Sequence, residues 1–574
     1  MAATRCWVAD VTQLDLRTEV MQRWGAMKTE RSTWLTHWQD ISTYLSPRNG
    51  MYQVTDRNRG DRRNNSIYDN TGTHALKVLA AGMMSGMTSP ARPWFRLATM
   101  DPDLMSFHPV KLWMKDASDM MHTVFQRSNT YRALHTIYVE LGAYGTAANL
   151  ILPDFKNVIH HYPLANGQYA IATDFKGQVN TLYREYQKRV IEVVEEFGLE
   201  NLSDAARSLY DRGQYNQYIT ILHAIEPRTK RDVTKKDSKN MPFRSVHYEL
   251  NGDQNKVLRE SGFKRFPGVG PRWETRTGDI YGYGPGMESL GDIKQLQHEQ
   301  LRKAQAIDYK SNPPLQVPKS MRVQEVDRLP GGITFYDGAA GGGSIKSAFD
   351  VNLDLSHLLE DIRDVRERIN STFYVDMFLM LSNANESRMT ATEVAERHEE
   401  KLLMLGPVLE RLQNELLEPL IDITFDRLMD AQVLPPPPKE LQGVEINVEL
   451  VSMLAQAQKA IGTNSVDRFI GGLVNVAQIK PSVVDKLDED MWADLTVESL
   501  GINPKMLVPT DVVNQRRAAR VAAAQKQQQV EQANQAADTA NKLASAQATA
   551  STTPLSPTQQ LTGYEPTGQF SGYS

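Results

Sequence analysis

The sequence predicts a mixed fold, mainly helical, with a β-rich first half and a small β unit set between helices. Three observations carry this. Apolar residues recur at three- and four-residue spacing along much of the chain, as one face of a helix requires. Residues 158–195 and 217–283 instead alternate apolar and polar side chains, the period of a half-buried strand. A short strand-like stretch, 315–350, lies between two long helical runs. At 574 residues the chain exceeds one ordinary core, so several domains are expected.

Residues 12–46 read as an amphipathic helix with Val20, Met21, Trp24, Met27, Trp34, Trp38, Ile41 and Leu45 on one stripe, ending at Ser46-Pro47. The Arg-rich stretch 51–66 reads as a solvated loop. A helix over 71–87 carries Ala80, Ala81, Gly82, Ser85 and Gly86, small residues that let another helix approach closely. Pro90 and Pro93 force the following segment to be extended. Two helices fill 108–150, and strands with turns follow. His160 and His161 are strand neighbours and point to opposite faces, so they do not form a metal pair. Gly278, Gly282, Gly284 and Gly286 mark a strand-to-helix turn that lacks the lysine of a phosphate loop.

A helix is expected from Met287 to about Tyr309, then the β unit. Lys346-Ser347 follows a glycine run, but Ile345 intervenes and no helix starts there, so nucleotide binding is rejected. A second helix runs to Tyr374 and gives way to a loop, 376–389. A long helix, 390–431, then contains Pro407 and Pro419, each of which removes a backbone donor and bends a helix. The run Pro435 to Pro438 is a stiff linker before a strand and a helix; residues 461–508 are helical with short breaks. From about Asp511 the chain is rich in Ala and Gln, either a helix that needs neighbours or a disordered tail.

Charge and composition narrow the function. A formal net charge of -5 argues against gripping nucleic acid over the whole surface. One cysteine, Cys6, permits neither an internal disulfide nor a cysteine metal site. No secretory signal and no apolar run of about 18 residues is expected to target or span a membrane. HExxH, CxxC, GxSxG and Walker patterns are absent, and His398 in HEEK lacks a second histidine, so no enzyme and no cofactor is expected.

Four stretches carry a resemblance: SIYDNTGTHALKVLAAGMMSGMTSPARPWFRL, VLRESGFKRFPGVGPRWETRTGDIYGYGPGMESLGDIKQLQ, SRMTATEVAERHEEKLLMLGPVLERLQNELLEPLI and PPPPKELQGVEINVELVSMLAQAQKA. In that order they resemble the portal proteins, or head-to-tail connectors, of short-tailed bacteriophages, over most of 15–510. The resemblance implies a ring, usually of twelve subunits, at one capsid vertex, with parts called wing, stem, clip and crown. It maps 1–286 to N-terminal helices and wing, 287–310 and 353–375 to stem helices, and 311–352 to the clip. Residues 376–389 correspond to the tunnel loop, 390–460 to the kinked wing helix and strand, 461–512 to the crown, and 513–574 to a tail that forms a barrel or stays disordered.

Function is then expected to be passive: duplex DNA enters during packaging and leaves at ejection, bound weakly and without specificity. The implied partners are further copies of the chain, the terminase large subunit, a head-completion or tail adaptor, and major capsid and scaffolding proteins, with no membrane. The implied place is the portal vertex of the virion, after assembly in the host cytoplasm. Ser382, Asn383, Ala384, Asn385, Glu386 and Arg388 are the expected loop tip facing DNA, while Met377 to Leu381 are expected to pack at its base. Glu360, Asp361, Asp364 and Glu367 are the expected channel wall. Arg363, Arg366 and Arg368 are interleaved with them, and most of these charges are expected to pair between subunits. The rival readings are an internal ejection protein or tail adaptor and, further off, a packaging enzyme such as the terminase itself.

Overall fold

The computed structural model describes residues 13–52, 62–101, 107–235, 237–253, 256–311, 315–316, 346–347, 356–382, 405–441, 446–451 and 510–550, with single positions 60, 104, 443 and 508. Helix α1 (Gln13–Tyr44) serves two cores. Leu16, Val20, Trp24 and Met27 pack with Tyr183, Leu222 and Tyr248 of a sheet. Trp38, Ile41 and Leu45 instead enter the main core. Trp34 stays half-buried and tilts onto Tyr281, 5.9 Å between ring centroids. The tryptophan stripe is therefore core, divided between two layers.

The β-rich region is two antiparallel sheets. Strands β2 (Ala148–Asp154) and β3 (Val158–Leu164) form a hairpin, with β9 (Gly268–Val269) on the other edge of β2. The second sheet runs in chain order: β4 (Tyr169–Thr173), β5 (Val179–Arg189), β6 (Tyr218–Pro227), β7 (Phe243–Glu249) and β8 (Arg259–Phe263). Two short helices, Val190–Phe197 and Asp204–Asp211, are inserted between β5 and β6 and cover one end with their own small core. His161 lies in β3, buried, with Nδ1 2.9 Å from Asn149 Nδ2 and Nε2 2.9 Å from Thr130 Oγ1. Burial pushes it down to about 3, so it is a neutral bridge between strand and helix. His160 rests on Tyr162 instead.

A strand pair closes the chain over a long distance. β1 (Phe95–Thr99), the segment that Pro90 and Pro93 keep extended, pairs antiparallel with β10 (Ile446–Leu450), from Phe95 against Leu450 to Thr99 against Ile446. Arg96 Nη2 meets Glu449 Oε2 at 2.7 Å across the pair. Leu315 and Gln316 pair with Ser347 and Lys346, so both ends of the small β unit lie together. Its interior lies outside the described residues, as do 383–404 and 452–507. Helix Thr510–Ala550, in a separate unit, is exposed from Asn514 to Ser545.

Candidate functional site

Two helices carry the candidate wall. The helix Leu290–Ser311 buries Leu290, Ile293 and Leu296, and the helix Ser356–Thr372 packs along it. Ile362, Val365 and Ile369, spaced three and four apart, form the buried stripe of the second helix. Glu360, Asp361, Asp364 and Glu367 all lie on its exposed faces. The three interleaved arginines meet carboxylates within the chain. Arg363 reaches Glu367 one turn on at 3.5 Å, Arg366 reaches Asp69 at 2.6 Å, and Arg368 reaches Asp292 at 3.2 Å. Each of the three arginines thus has a carboxylate of its own chain within reach. Neighbouring elements bring Asp69 and Asp292 to the helix, which spacing along the helix alone does not show. Glu360 and Asp364 have no partner among the described residues, so this face is acidic.

Asp69 is the joint that fixes the second helix. Its carboxylate accepts from Thr71 N (2.9 Å), Thr71 Oγ1 (2.5 Å), Gln300 Nε2 (3.0 Å) and Arg366 Nη2 (2.6 Å). Gln297 donates to the Asp69 carbonyl at 2.9 Å and accepts from the amides of Tyr68 and Asp69 at 2.6 and 2.8 Å. Burial raises the Asp69 carboxyl, but the hydrogen bonds from Thr71 and Arg366 outweigh it and hold it below the usual range. The Arg-rich loop is thereby tied at its end to both wall helices.

Between the same helices lies an opposite case. Gln295 Nε2 donates to Glu299 Oε1 at 2.6 Å and approaches Asp361 Oδ2 at 3.4 Å. Burial first, then the Asp361 carboxyl, raise the Glu299 carboxyl above its ordinary value. A raised acid contributes stability fully below its unfolded value, near 4.3, and loses it as pH rises through the folded value. Glu299→Gln is therefore expected to flatten the pH dependence of melting above about pH 4, where the parent loses stability. Its melting temperature should stand above that of the parent at pH 8; equal slopes for both proteins refute this.

After the second wall helix Tyr374 takes a left-handed backbone (φ 55), and the chain re-enters a helix, Val375–Ser382. The expected loop 376–389 is thus helical in its first half. The reason is packing: Met377 and Phe378 are buried in the main core, and Phe378 seats on Gly82 of the helix Thr71–Met87. Leu379 remains exposed. Ser382 closes the helix; Asn383, Ala384, Asn385, Glu386 and Arg388 lie outside the described residues.

The long helix is described from residue 405. Pro407 falls within its first described turns. Before Pro419 the helix widens into a π turn, Gln413–Leu417, in which the Glu418 N–H donates to the Gln413 carbonyl, and the helix Glu418–Asp430 follows. Pro419 has no N–H to give the Glu415 carbonyl, and a π turn is one way to absorb that loss. The Glu415 carboxylate is clamped by Arg272, whose Nη2, Nε and backbone N lie 2.6, 3.1 and 3.0 Å from its oxygens. The same Nη2 donates to the Gly177 carbonyl at 2.7 Å, tying a sheet turn to the π turn. Sequence reasoning missed Arg272, Asp69 and Arg96. Their partners lie 143, 297 and 353 positions away, where no spacing rule reaches.

The family model described as bacteriophage head to tail connecting protein matches residues 17–508. The chain is 56% identical over 548 residues to a protein named probable portal protein from Bordetella phage BPP-1, covering 96% of this chain and 99% of that one. It is 43% identical over 532 residues to the portal protein of Salmonella phage epsilon15, covering 92% of this chain and 96% of that one. A chain in the solved virion of a native gene transfer agent particle aligns at 11% identity with a TM-score of 0.31, covering 75% of this chain and 94% of that chain.

Proposed function

This chain belongs to the bacteriophage head-to-tail connecting protein family, and from that membership we propose how it works as the portal protein of its virion. It is a structural connector at the junction of head and tail, not an enzyme. Copies close into a ring, of twelve in this reading, whose central channel passes duplex DNA inward at packaging and outward at ejection. The ring docks the terminase large subunit first and a head-completion or tail adaptor afterwards, and it contacts capsid and scaffolding proteins. Assembly takes place in the host cytoplasm. The two wall helices act as the stem, the β unit of 311–352 as the clip, and 461–512 as the crown. The exposed helix Thr510–Ala550 would be covered by its copies around the ring.

The observation that carries the channel reading is the acidic exposed face of Ser356–Thr372, backed by a buried apolar stripe. A channel that lets DNA slide must not hold phosphates, and unpaired carboxylates repel them. Replacing Glu360 and Asp364 together by Lys is expected to make rings retain duplex DNA at low salt. Each phosphate neutralised adds about 0.9 to the slope of log affinity against log salt. A lysine variant that retains no more DNA than the parent removes the channel role of this face.

Ser382 to Glu386, with Arg388, form the tip that meets DNA in this reading. Rings lacking 382–386 should assemble yet lose packaged DNA; failure to assemble makes the segment structural. Negative-stain images of the purified protein test the whole reading. A ring of about twelve subunits with a central hole supports it, and monomers at every concentration overturn it.

A further inference from the structure

A ring needs an interface in which two different patches of one chain meet, a knob on one flank and a hole on the other. The β2–β3 and β4–β5 hairpins carry near-identical tips, Asp154-Phe155-Lys156-Asn157 and Asp174-Phe175-Lys176-Gly177. In each the aspartate folds back on the turn. Asp154 accepts from the amides of Lys156 and Asn157 at 3.4 and 3.1 Å, and Asp174 accepts from those of Lys176 and Gln178 at 2.8 and 2.9 Å. The phenylalanines are left in solvent, 113% and 93% exposed, above every other large apolar side chain among the described residues. The first tip is also strained: Val158, β-branched, holds φ 69 while its side chain packs on the main core. A rigidly presented aromatic suits an interface anchor.

The hole lies beside the π turn, a cavity of about 310 Å³. Phe266, Val269, Pro419 and Ile423 supply apolar wall, and Arg265, Glu415, Glu418 and Asp422 supply charge, three carboxylates to one guanidinium. A cavity of about 150 Å³ already admits a benzene ring. Its charge is unbalanced: Arg265 serves both Asp422, at 2.8 Å, and Asp426, at 2.9 Å, while among the described residues Glu418 has only the Gln413 amide, at 2.9 Å. Burial, with Asp426 and Glu418 nearby, raises the Asp422 carboxyl above its ordinary value despite Arg265. The strand start after the turn bearing Phe175 borders this cavity through Gln178 and Val179.

We propose that Phe155 of one copy fills this cavity on the next copy, with Lys156 set against Glu418 and Asp422. Apolar shape and opposite charge favour a second copy of this chain as the occupant. The inference rests on the ring reading, and its test separates the two. Full-length chains in a Cys6→Ser background are prepared with either Phe155→Cys or Glu418→Cys, mixed, assembled and oxidised. The mixture is expected to yield disulfide-linked dimers at least tenfold above either variant alone. Rings without such dimers overturn the inference and leave the ring reading standing; a parent that forms no ring overturns that reading itself. Where a cysteine variant fails to assemble, charge reversal decides. Lys156→Glu and Glu418→Lys should each raise the concentration needed for assembly about tenfold. Mixing the two variants should restore it to within threefold, and no restoration overturns the inference.

Discussion

Gly82→Val is expected to unseat the helix Val375–Ser382 and to be among the most damaging single changes in the chain. A Cβ built at Gly82 would stand 2.1 Å from Phe378 Cδ1, 2.2 Å from Cγ and 2.7 Å from Cβ. The last of these is the root of the side chain, so rotating the ring cannot relieve the overlap. Either the two helices part or Phe378 leaves its site. Expelling a buried phenylalanine costs about 3–5 kcal/mol, and overpacking alone costs about 1–3 kcal/mol. The measurement is thermal or urea unfolding, with hydrogen exchange across 375–382. Because clash and lost contact share one pair, Gly82→Ala with Phe378→Ala should cost less than the two single changes added. Additive costs would show that the helices do not press on each other. This helix leads into the proposed DNA loop, so its loosening should also lower DNA retention in assembled rings.

Arg272→Met is the second large effect. It leaves the Glu415 carboxylate, 14% exposed, without its main partner and frees the Gly177 carbonyl. Removing one member of a buried pair costs about 3–5 kcal/mol, because the stranded charge keeps its desolvation penalty. Arg411, at 3.4 Å, compensates only in part. Arg272→Met with Glu415→Gln should recover much of the loss, since no charge is then stranded. The check is a double-mutant cycle on the melting temperature. An equal loss in the double variant would place the cost in Gly177 and the sheet turn instead. Should the π turn relax to an ordinary helical turn, side chains beyond Leu417 would rotate by about 100° relative to those before it. The cavity beside it, lined by Glu418, Pro419 and Asp422, would then change shape.

Local patterns made much of the architecture legible. The tryptophan stripe, the paired helices before and after the small β unit, and the alternating strands all announce themselves by period. So did the tight approach at Gly82, as a run of small residues, although nothing in the run named Phe378 as its occupant. The loop boundary was misplaced for a physical reason. Met377 to Leu381 read as the apolar base of a loop because the run is too short to show helical period. Burial of Met377 and Phe378 then supplied the stability that a helix of eight residues lacks by itself. Arg363, Arg366 and Arg368 illustrate the other limit. Spacing showed which acids lie one turn away and not which acids other elements deliver.

Residue order by itself determined the secondary structure of the long periodic segments, the absence of familiar catalytic motifs, and the order of stretches that shows the family. These depend on interactions within a few turns or on short motifs, so the linear chain contains them. Tertiary structure alone decided which charges are spent. Asp69 takes Arg366, Asp292 takes Arg368 and Glu415 takes Arg272, leaving Glu360 and Asp364 without a described partner. It also decided that strands about 350 residues apart pair, Phe95 against Leu450 and onward. Such pairings depend on how separate elements pack, and the apolar surface that drives packing has no direction. Distance along the chain therefore says nothing about which partner a buried charge will meet.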